Sequence, residues 1–321
     1  MSNTTFASEG KIPFSANGEP GETWYKIIGD LSNQTQPPLI GLHGGPGMAH
    51  DYLVPLGDLS TTRAIILYDQ IGNSRSTHFT EPPKPPSFWT IDLFVDELEN
   101  LIKFFGLEKS GYYLLGHSWG GILATEFEVR RHPPGLKGIV LSDSLADMGL
   151  WVKSNMELMS KFPADVQEGL KGGFSDLKKY REALEEFYKV HACRISPQPK
   201  EVAAGGLNPI FGERETGLGG DPTSSLAMLA FLEFSVLDLS LTLRSRNAGA
   251  LKGWSIVDRL DQVSVPCLIL NGRYDISQDF VVKPFFDKIS KVKWVTLENS
   301  SHLPMWEERE RYIEIVRDFM A

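Results

Sequence analysis

Four short apolar runs, each ended by glycine or polar turn residues, constrain the fold of this chain more than any other feature. They are PPLIGLHG at 37–44, TRAIILYDQ at 62–70, GYYLLGHS at 111–118 and LKGIVLSDS at 136–144. Continuous apolar runs of this length suit strands buried on both faces of a parallel sheet. Apolar residues at helical spacing over 90–107, after Thr90, predict a helix between the second and third runs. Strands that alternate with helices predict a doubly wound α/β sheet.

The alternation stops near residue 148 and returns near residue 251. Helical patterns separated by Gly- and Pro-rich loops lie in between. Two further strand patterns follow, VPCLILNGRYD at 265–275 and VKWVTLENSSH at 292–302, and an amphipathic helix comes last. We therefore expect an α/β core made of residues 1–148 and 251–321, interrupted by a helical cap at 149–250.

Composition and charge narrow the class of function. The chain has 321 residues, of which 41% are hydrophobic, and a formal net charge of −9. Lysine and arginine are scattered without runs, which argues against nucleic acid or an anionic membrane as partner. Cys193 and Cys267 show no metal-binding spacing, so we expect no metal site and a reduced, buried thiol at Cys267.

Two segments bear on localisation. The first residues, MSNTTFASEGKIPF, lack the basic start and apolar centre of a signal peptide. The apolar run at 224–243 contains Glu233 and Asp238, which are costly inside a bilayer, so we interpret it as one or two helices of the cap. These features predict a cytoplasmic protein without a membrane span.

The third apolar run leads into GHSWG at 116–120, a G-x-S-x-G sequence between a predicted strand and a predicted helix. A nucleophile elbow has this arrangement, because small flanking residues allow a tight turn that exposes the serine hydroxyl. A glycine-rich helix start without a catalytic role would give the same five letters. The strand–turn–helix setting favours Ser118 as a nucleophile.

A serine nucleophile needs a base and an orienting acid, which in this architecture follow on later strand ends in the order acid, histidine. His302 follows the last predicted strand, whereas the other histidines after the elbow lie in a loop and in the cap. Asp275 follows the preceding strand, and Asp279, one helical turn further on, is the alternative acid. In these roles His302 takes the proton from Ser118, and Asp275 fixes the imidazole tautomer.

A tetrahedral intermediate also needs two N–H donors for its oxyanion. One predicted donor is the backbone of Trp119, directly after the nucleophile. The other comes from the loop HGGPG at 43–47, with Gly45 as the candidate donor and Gly44 as a candidate substrate contact.

Five segments in chain order, LHGGPGMAHDYL, YDQIGNSRS, GHSWGG, NGRYD and SHLPMWEERERY, resemble the motifs of the proline iminopeptidase family of α/β-hydrolases. That family includes prolyl aminopeptidases, tricorn-interacting aminopeptidases and L-amino-acid amidases. The resemblance covers roughly 20–148 and 251–321. It implies an α/β-hydrolase fold with a helical cap, no cofactor, and the triad and oxyanion positions already assigned.

The chain departs from the family pattern where the substrate's free α-amine would bind. The resemblance implies carboxylates there, and in many members one is a Glu directly after the triad Asp, where this chain has Ile276. An apolar side chain cannot neutralise an ammonium group. Three cap carboxylates are candidates to replace it: Glu213, Glu215 and Glu233.

The sequence leaves three functions open. The first is a prolyl aminopeptidase or amidase with a rearranged amine site. The second is a natural-product-pathway hydrolase for an ester, lactone, thioester or amide without a free α-amine, with cyclisation or elimination as variants. The third is a ligand-binding protein without catalysis. The expected partner is a small molecule or short peptide, and the oligomeric state stays open.

Overall fold

The computed structural model describes residues 7–32, 35–80, 82, 84–212, 251 and 253–321. Within them the strands form one eight-stranded sheet in the spatial order β1-β2-β4-β3-β5-β6-β7-β8. In chain order they are β1 (Ala7–Ala16), β2 (Glu19–Ile28), β3 (Leu39–Leu42), β4 (Ile65–Asp69), β5 (Tyr112–His117), β6 (Leu136–Ser142), β7 (Cys267–Gly272) and β8 (Val292–Leu297). Strand β2 runs antiparallel to β1 and β4, and the other neighbours are parallel. The sheet is mostly parallel, as the apolar runs predict.

Helices cover both faces of the sheet and also make up most of residues 148–211, which follow β6. The described helices are α1 (Ile91–Phe104), α2 (Leu107–Ser110), α3 (Trp119–Arg131), α4 (Met148–Met159), α5 (Ala164–Gly172), α6 (Leu177–His191), α7 (Lys200–Gly205), α8 (Asn208–Phe211), α9 (Asp279–Lys288), α10 (Pro304–Glu307) and α11 (Arg309–Phe319). Helix α1 begins after Thr90, whose hydroxyl accepts the N–H of Leu93 at 3.1 Å. The predicted helix at 90–107 is therefore confirmed, with its end three residues earlier.

Neighbouring residues of the central strands pack on opposite faces of the sheet. On β5, Leu114 joins the apolar cluster that includes Phe127 of α3. The next residue, Leu115, joins a second cluster that includes Val316 of α11. Both faces are thus covered, which is why these strands carry apolar residues at successive positions.

The antiparallel edge of the sheet was not predicted from the apolar runs. Strand β1 buries alternate residues only near its end, at Ile12, Phe14 and Ala16. It pairs with β2 through a two-residue turn at Asn17 and Gly18, both with positive φ (50° and 89°). Asn-Gly is the usual sequence of such a turn, because both positions need left-handed backbone.

Every regular element between residues 148 and 212 is a helix, and this segment contains α4 to α8. Its apolar residues form a third cluster, which includes Leu158, Leu184 and Phe187 and also takes in Ile276 from the loop after β7. The predicted cap helices at 224–243 lie outside the described residues, as do the candidate carboxylates Glu213, Glu215 and Glu233. None of the described helices has the length and apolar character needed to cross a membrane.

Candidate active site

Ser118 occupies a tight turn between β5 and α3. Its backbone has φ 53° and ψ −120°, a conformation that residues with side chains rarely adopt. A Cβ atom at Gly116 would lie 2.2 Å from the carbonyl oxygen of Gly120, and one at Gly120 would lie 2.1 Å from that of Leu42. Both flanking positions therefore require glycine, and the turn has the features of a nucleophile elbow.

His302 and Asp275 lie together beyond the ends of β8 and β7. His302 Nδ1 is 2.6 Å from Asp275 Oδ1, and the same oxygen accepts the N–H of Ser277 at 2.9 Å. Asp275 is 1% exposed and His302 is 8% exposed. The alternative acid, Asp279, instead forms an ion pair of 3.0 Å with Arg273. The geometry thus brings the imidazole to Asp275 and not to Asp279.

A buried histidine, His117, connects the elbow with the loop that carries His302. Its Nε2 lies 2.7 Å from the carbonyl oxygen of His302, and its Nδ1 lies 2.9 Å from the hydroxyl of Tyr52. Burial holds the pKa of His117 well below its ordinary value, so the ring is neutral. The Nε2–H then donates to the carbonyl oxygen of His302, and Nδ1 accepts a hydrogen bond from the hydroxyl of Tyr52.

Tyr52 forms a hydrogen bond with the first glycine of the HGGPG loop, Gly44, and not with the second, Gly45. The hydroxyl of Tyr52 accepts a hydrogen bond from the N–H of Gly44, so that N–H is not free to donate to a substrate. Gly45 lines the cavity beside Ser118 and has φ +107°. A Cβ atom at Gly45 would lie 2.8 Å from the nitrogen of Gly47, so glycine is required there.

Asp69 and Gln70, at the end of β4, form hydrogen bonds to residues of the two loops around the elbow. The indole N–H of Trp119 donates to Gln70 Oε1 at 2.8 Å, and Gln70 Nε2 donates to the carbonyl of His43 at 3.1 Å. The preceding Asp69 accepts the ring and backbone N–H groups of His50 at 2.8 and 2.9 Å. Burial raises the pKa of Asp69, but the interactions with His50 outweigh burial and lower this pKa to about 2.

A second buried acid, Asp143, lies beside the pair of Asp275 and His302. The carboxyl groups and an imidazole nitrogen all lie within 4.8 Å of one another. Two carboxylates at this separation or closer repel by at least roughly 3 kcal/mol at an effective dielectric constant of 20. Burial first, and the charge of Asp275 second, raise the pKa of Asp143 well above its ordinary value.

Sequence reasoning missed Asp143, His117 and Tyr52. A signal existed for Asp143, which directly follows β6 at the same sheet edge as the other site residues. Tyr52 lies in a 3-10 segment, His50–Leu59, whose orientation no periodic pattern reveals.

A cavity of about 770 Å³ opens beside Ser118 and His302. Much of its wall comes from α4, α6 and the chain that follows α6, and Ile276 contributes an apolar side chain. Among the described residues that line it, Glu185 is the one carboxylate, and Arg181 pairs with it at 3.1 Å. Lys189 and Arg194 also line the cavity, so the charged side chains of its described wall are three cations and one carboxylate.

Comparisons with known proteins extend over nearly the whole chain. A model of the α/β hydrolase family matches residues 39–315. A proline iminopeptidase of Clostridium botulinum is 31% identical over 98% of this chain and 98% of its own length. The crystal structure of VinJ is similar with a TM-score of 0.79 and 35% identity, covering 98% of each chain. That of a proline iminopeptidase from Mycobacterium smegmatis has a TM-score of 0.76 and 30% identity, covering 98% of this chain and 97% of its own.

Proposed function

This chain belongs to the proline iminopeptidase family of α/β-hydrolases, and on that premise we propose that it is a serine hydrolase that cleaves an amide or ester bond through an acyl-enzyme. The observation that carries the proposal is the 2.6 Å contact between His302 and Asp275. His302 lines the same cavity as the elbow serine, Ser118.

The proposed reaction begins when Ser118 Oγ attacks the substrate carbonyl carbon and His302 Nε2 accepts its proton. Asp275 accepts a hydrogen bond from Nδ1–H and stabilises the imidazolium that forms. The N–H groups of Trp119 and Gly45 stabilise the oxyanion, each worth about 3–4 kcal/mol in comparable sites. His302 then protonates the leaving group. Water, activated by the same imidazole, finally attacks the acyl-enzyme and releases the acid and Ser118.

In the same proposal, residues 149–250 form a cap domain over the site, and residues 1–148 and 251–321 form the catalytic core. Side chains of α4 and α6 line the same cavity as Ser118 and His302, which supports this division. A cap of this kind excludes water and selects the substrate.

Labelling with a fluorophosphonate tests the nucleophile. We expect the natural protein to be labelled and Ser118→Ala to be unlabelled, with turnover of a p-nitrophenyl ester lowered at least about 10⁴-fold. His302→Ala should lose turnover to a similar degree. Ser160→Ala, at an exposed serine, is the matched control. Labelling that survives in Ser118→Ala would refute the mechanism, and a natural protein that is neither labelled nor active would favour a ligand-binding function.

A second candidate function is hydrolysis of a substrate without a free α-amine. The buried side chain of Ile276, which follows Asp275, favours it, since the wall there is apolar. The pairing of Glu185 with Arg181 favours it too, because a paired carboxylate is less available to an ammonium group.

A panel of three substrates separates the two candidates. It consists of a proline anilide, its N-acetyl form and a p-nitrophenyl ester. If the free-amine anilide has a kcat/KM far above both others, the chain is an aminopeptidase. Comparable or faster turnover of the other two supports the second candidate.

A further inference from the structure

One buried oxygen of Asp275 has no hydrogen-bond donor within the described part of the chain. The other oxygen, Oδ1, accepts N–H groups from His302 at 2.6 Å and from Ser277 at 2.9 Å. No N–H or O–H among the described residues reaches Oδ2 when Asp143 is taken as an ionised carboxylate. Buried carboxylate oxygens without a donor are rare and costly, so the missing donor needs an explanation.

The carboxyl group of Asp143 is fixed in position close to the carboxyl group of Asp275. Its Oδ1 accepts the N–H of Gly272 at 3.2 Å, and its Oδ2 accepts the hydroxyl of Ser142 at 2.7 Å. Ser142 in turn accepts the hydroxyl of Tyr312 at 3.0 Å. Among the described residues, the one ion pair at these two carboxyl groups joins Asp275 to His302. No lysine or arginine of the described chain offsets two neighbouring negative charges there.

We propose that Asp143 is a protonated, neutral carboxylic acid that donates a hydrogen bond to Oδ2 of Asp275. One proton then serves both carboxyl groups, and the pair carries a single negative charge located on Asp275. Burial and the charge of Asp275, which both favour the protonated form, support the same assignment. The nearby phenols of Tyr52 and Tyr312 stay neutral because burial raises their pKa values.

This hydrogen bond makes Asp143 a positioning residue for the proposed triad. It holds the Asp275 carboxylate with Oδ1 toward His302, and it avoids a second anion that would alter the basicity of the imidazole. The catalytic consequence rests on the proposed function. The protonation state of Asp143 does not, and it is measurable in an inactive protein.

Infrared difference spectroscopy tests the protonation state. The spectrum of the natural protein minus that of Asp143→Asn at pH 7 should contain the carbonyl band of a protonated carboxylic acid. A carboxylate band in its place would overturn the proposal. This readout distinguishes a failure of the inference from a failure of the proposed function, because it requires neither a nucleophilic Ser118 nor turnover.

Kinetics of two variants test the positioning role. The amide of Asp143→Asn can donate as the neutral acid does, so its kcat per active site, counted by fluorophosphonate titration, should stay within about 3-fold of the natural value. Asp143→Ala should lose about 10- to 100-fold in kcat with little change in KM. The midpoint pH of the acid limb of the kcat/KM profile should be the same in Asp143→Asn as in the natural protein.

Three results would contradict the positioning role. The first is that Asp143→Asn loses as much kcat as Asp143→Ala. The second is that the acid limb of the kcat/KM profile of Asp143→Asn moves to lower pH, as the loss of a negative charge near His302 would cause. The third is that Asp143→Ala keeps the full kcat per titrated site. If Asp143→Ala does not fold, the Asn variant still decides, through its pH profile and its infrared spectrum.

Discussion

The indole N–H of Trp119 donates a hydrogen bond of 2.8 Å to the side-chain oxygen of Gln70. The amide of Gln70 also donates to the carbonyl oxygen of His43, and its backbone N–H donates to His43 Nε2 at 3.0 Å. One side chain therefore ties together the two loops that carry the proposed oxyanion donors.

Replacing Gln70 by leucine should misalign the oxyanion donors while leaving the proposed triad intact. We expect kcat for a p-nitrophenyl ester to fall about 10- to 100-fold, less than the loss of a whole donor. Fluorophosphonate labelling at Ser118 should persist at a lower rate. Gln262→Leu, at an exposed position, is the control. Unchanged kcat in Gln70→Leu would show that the loops hold their geometry without this amide.

Gly45→Ala should remove one proposed oxyanion donor by moving its loop. The residue has φ +107°, and an added Cβ would lie 2.8 Å from the nitrogen of Gly47. We expect kcat to fall about 10²- to 10³-fold. Gly106→Ala is a matched control, since Gly106 also has positive φ (66°) but open space around its Cβ position. Equal losses in both variants would point to general backbone strain and not to the oxyanion site.

The proposed triad could be located from the sequence because of one topological fact. The carboxyl ends of parallel strands meet at a common edge, so polar residues that follow β5, β7 and β8 must lie near one another. Counting strands along the chain was enough to select Asp275 and His302, and the structure pairs them at 2.6 Å. Cofactors, partners and the roles of these residues follow from no such rule and stay predictions.

Other features depended on contacts that no local pattern encodes. Tyr52 reaches Gly44 and His117 from a 3-10 segment, and these contacts are set by the packing of that segment on the sheet. The β1–β2 hairpin was different, since Asn17-Gly18 is a readable turn signal. The hairpin was not predicted because β1 buries few residues and lacks the kind of apolar run that predicted β3 to β8.

Ile276→Glu tests whether the amine site can be rebuilt. The side chain lies directly after Asp275 and lines the cavity, so a carboxylate there can face a substrate ammonium. We expect the ratio of kcat/KM for proline anilide over its N-acetyl form to rise at least about tenfold, which is 1.4 kcal/mol of preference. Ile276→Gln, of nearly the same size but neutral, is the control. An equal ratio in both variants would mean that the amine binds elsewhere.

Glu97 of α1 gives the protein a defined pH dependence of stability. Its Oε1 accepts the hydroxyl of Thr23 at 2.5 Å and the N–H of Ile71 at 2.8 Å, whereas its Oε2 is buried without a partner among the described residues. Burial raises the pKa of Glu97 from 4.5 to about 8. Between these two pH values the folded chain therefore holds a proton on Glu97 that the unfolded chain has lost.

The free energy of unfolding should consequently fall as the pH rises from about 4.5 to 8, by up to about 1.4 kcal/mol per pH unit from this one group. Glu97→Gln keeps the acceptor oxygen and cannot ionise, so its stability should lack this contribution. Urea unfolding of both proteins from pH 5 to 9 measures the difference, which should shift steadily in favour of the variant and level off above about pH 8. Parallel stability curves would mean that Glu97 is ionised, and accommodated as an anion, throughout this range.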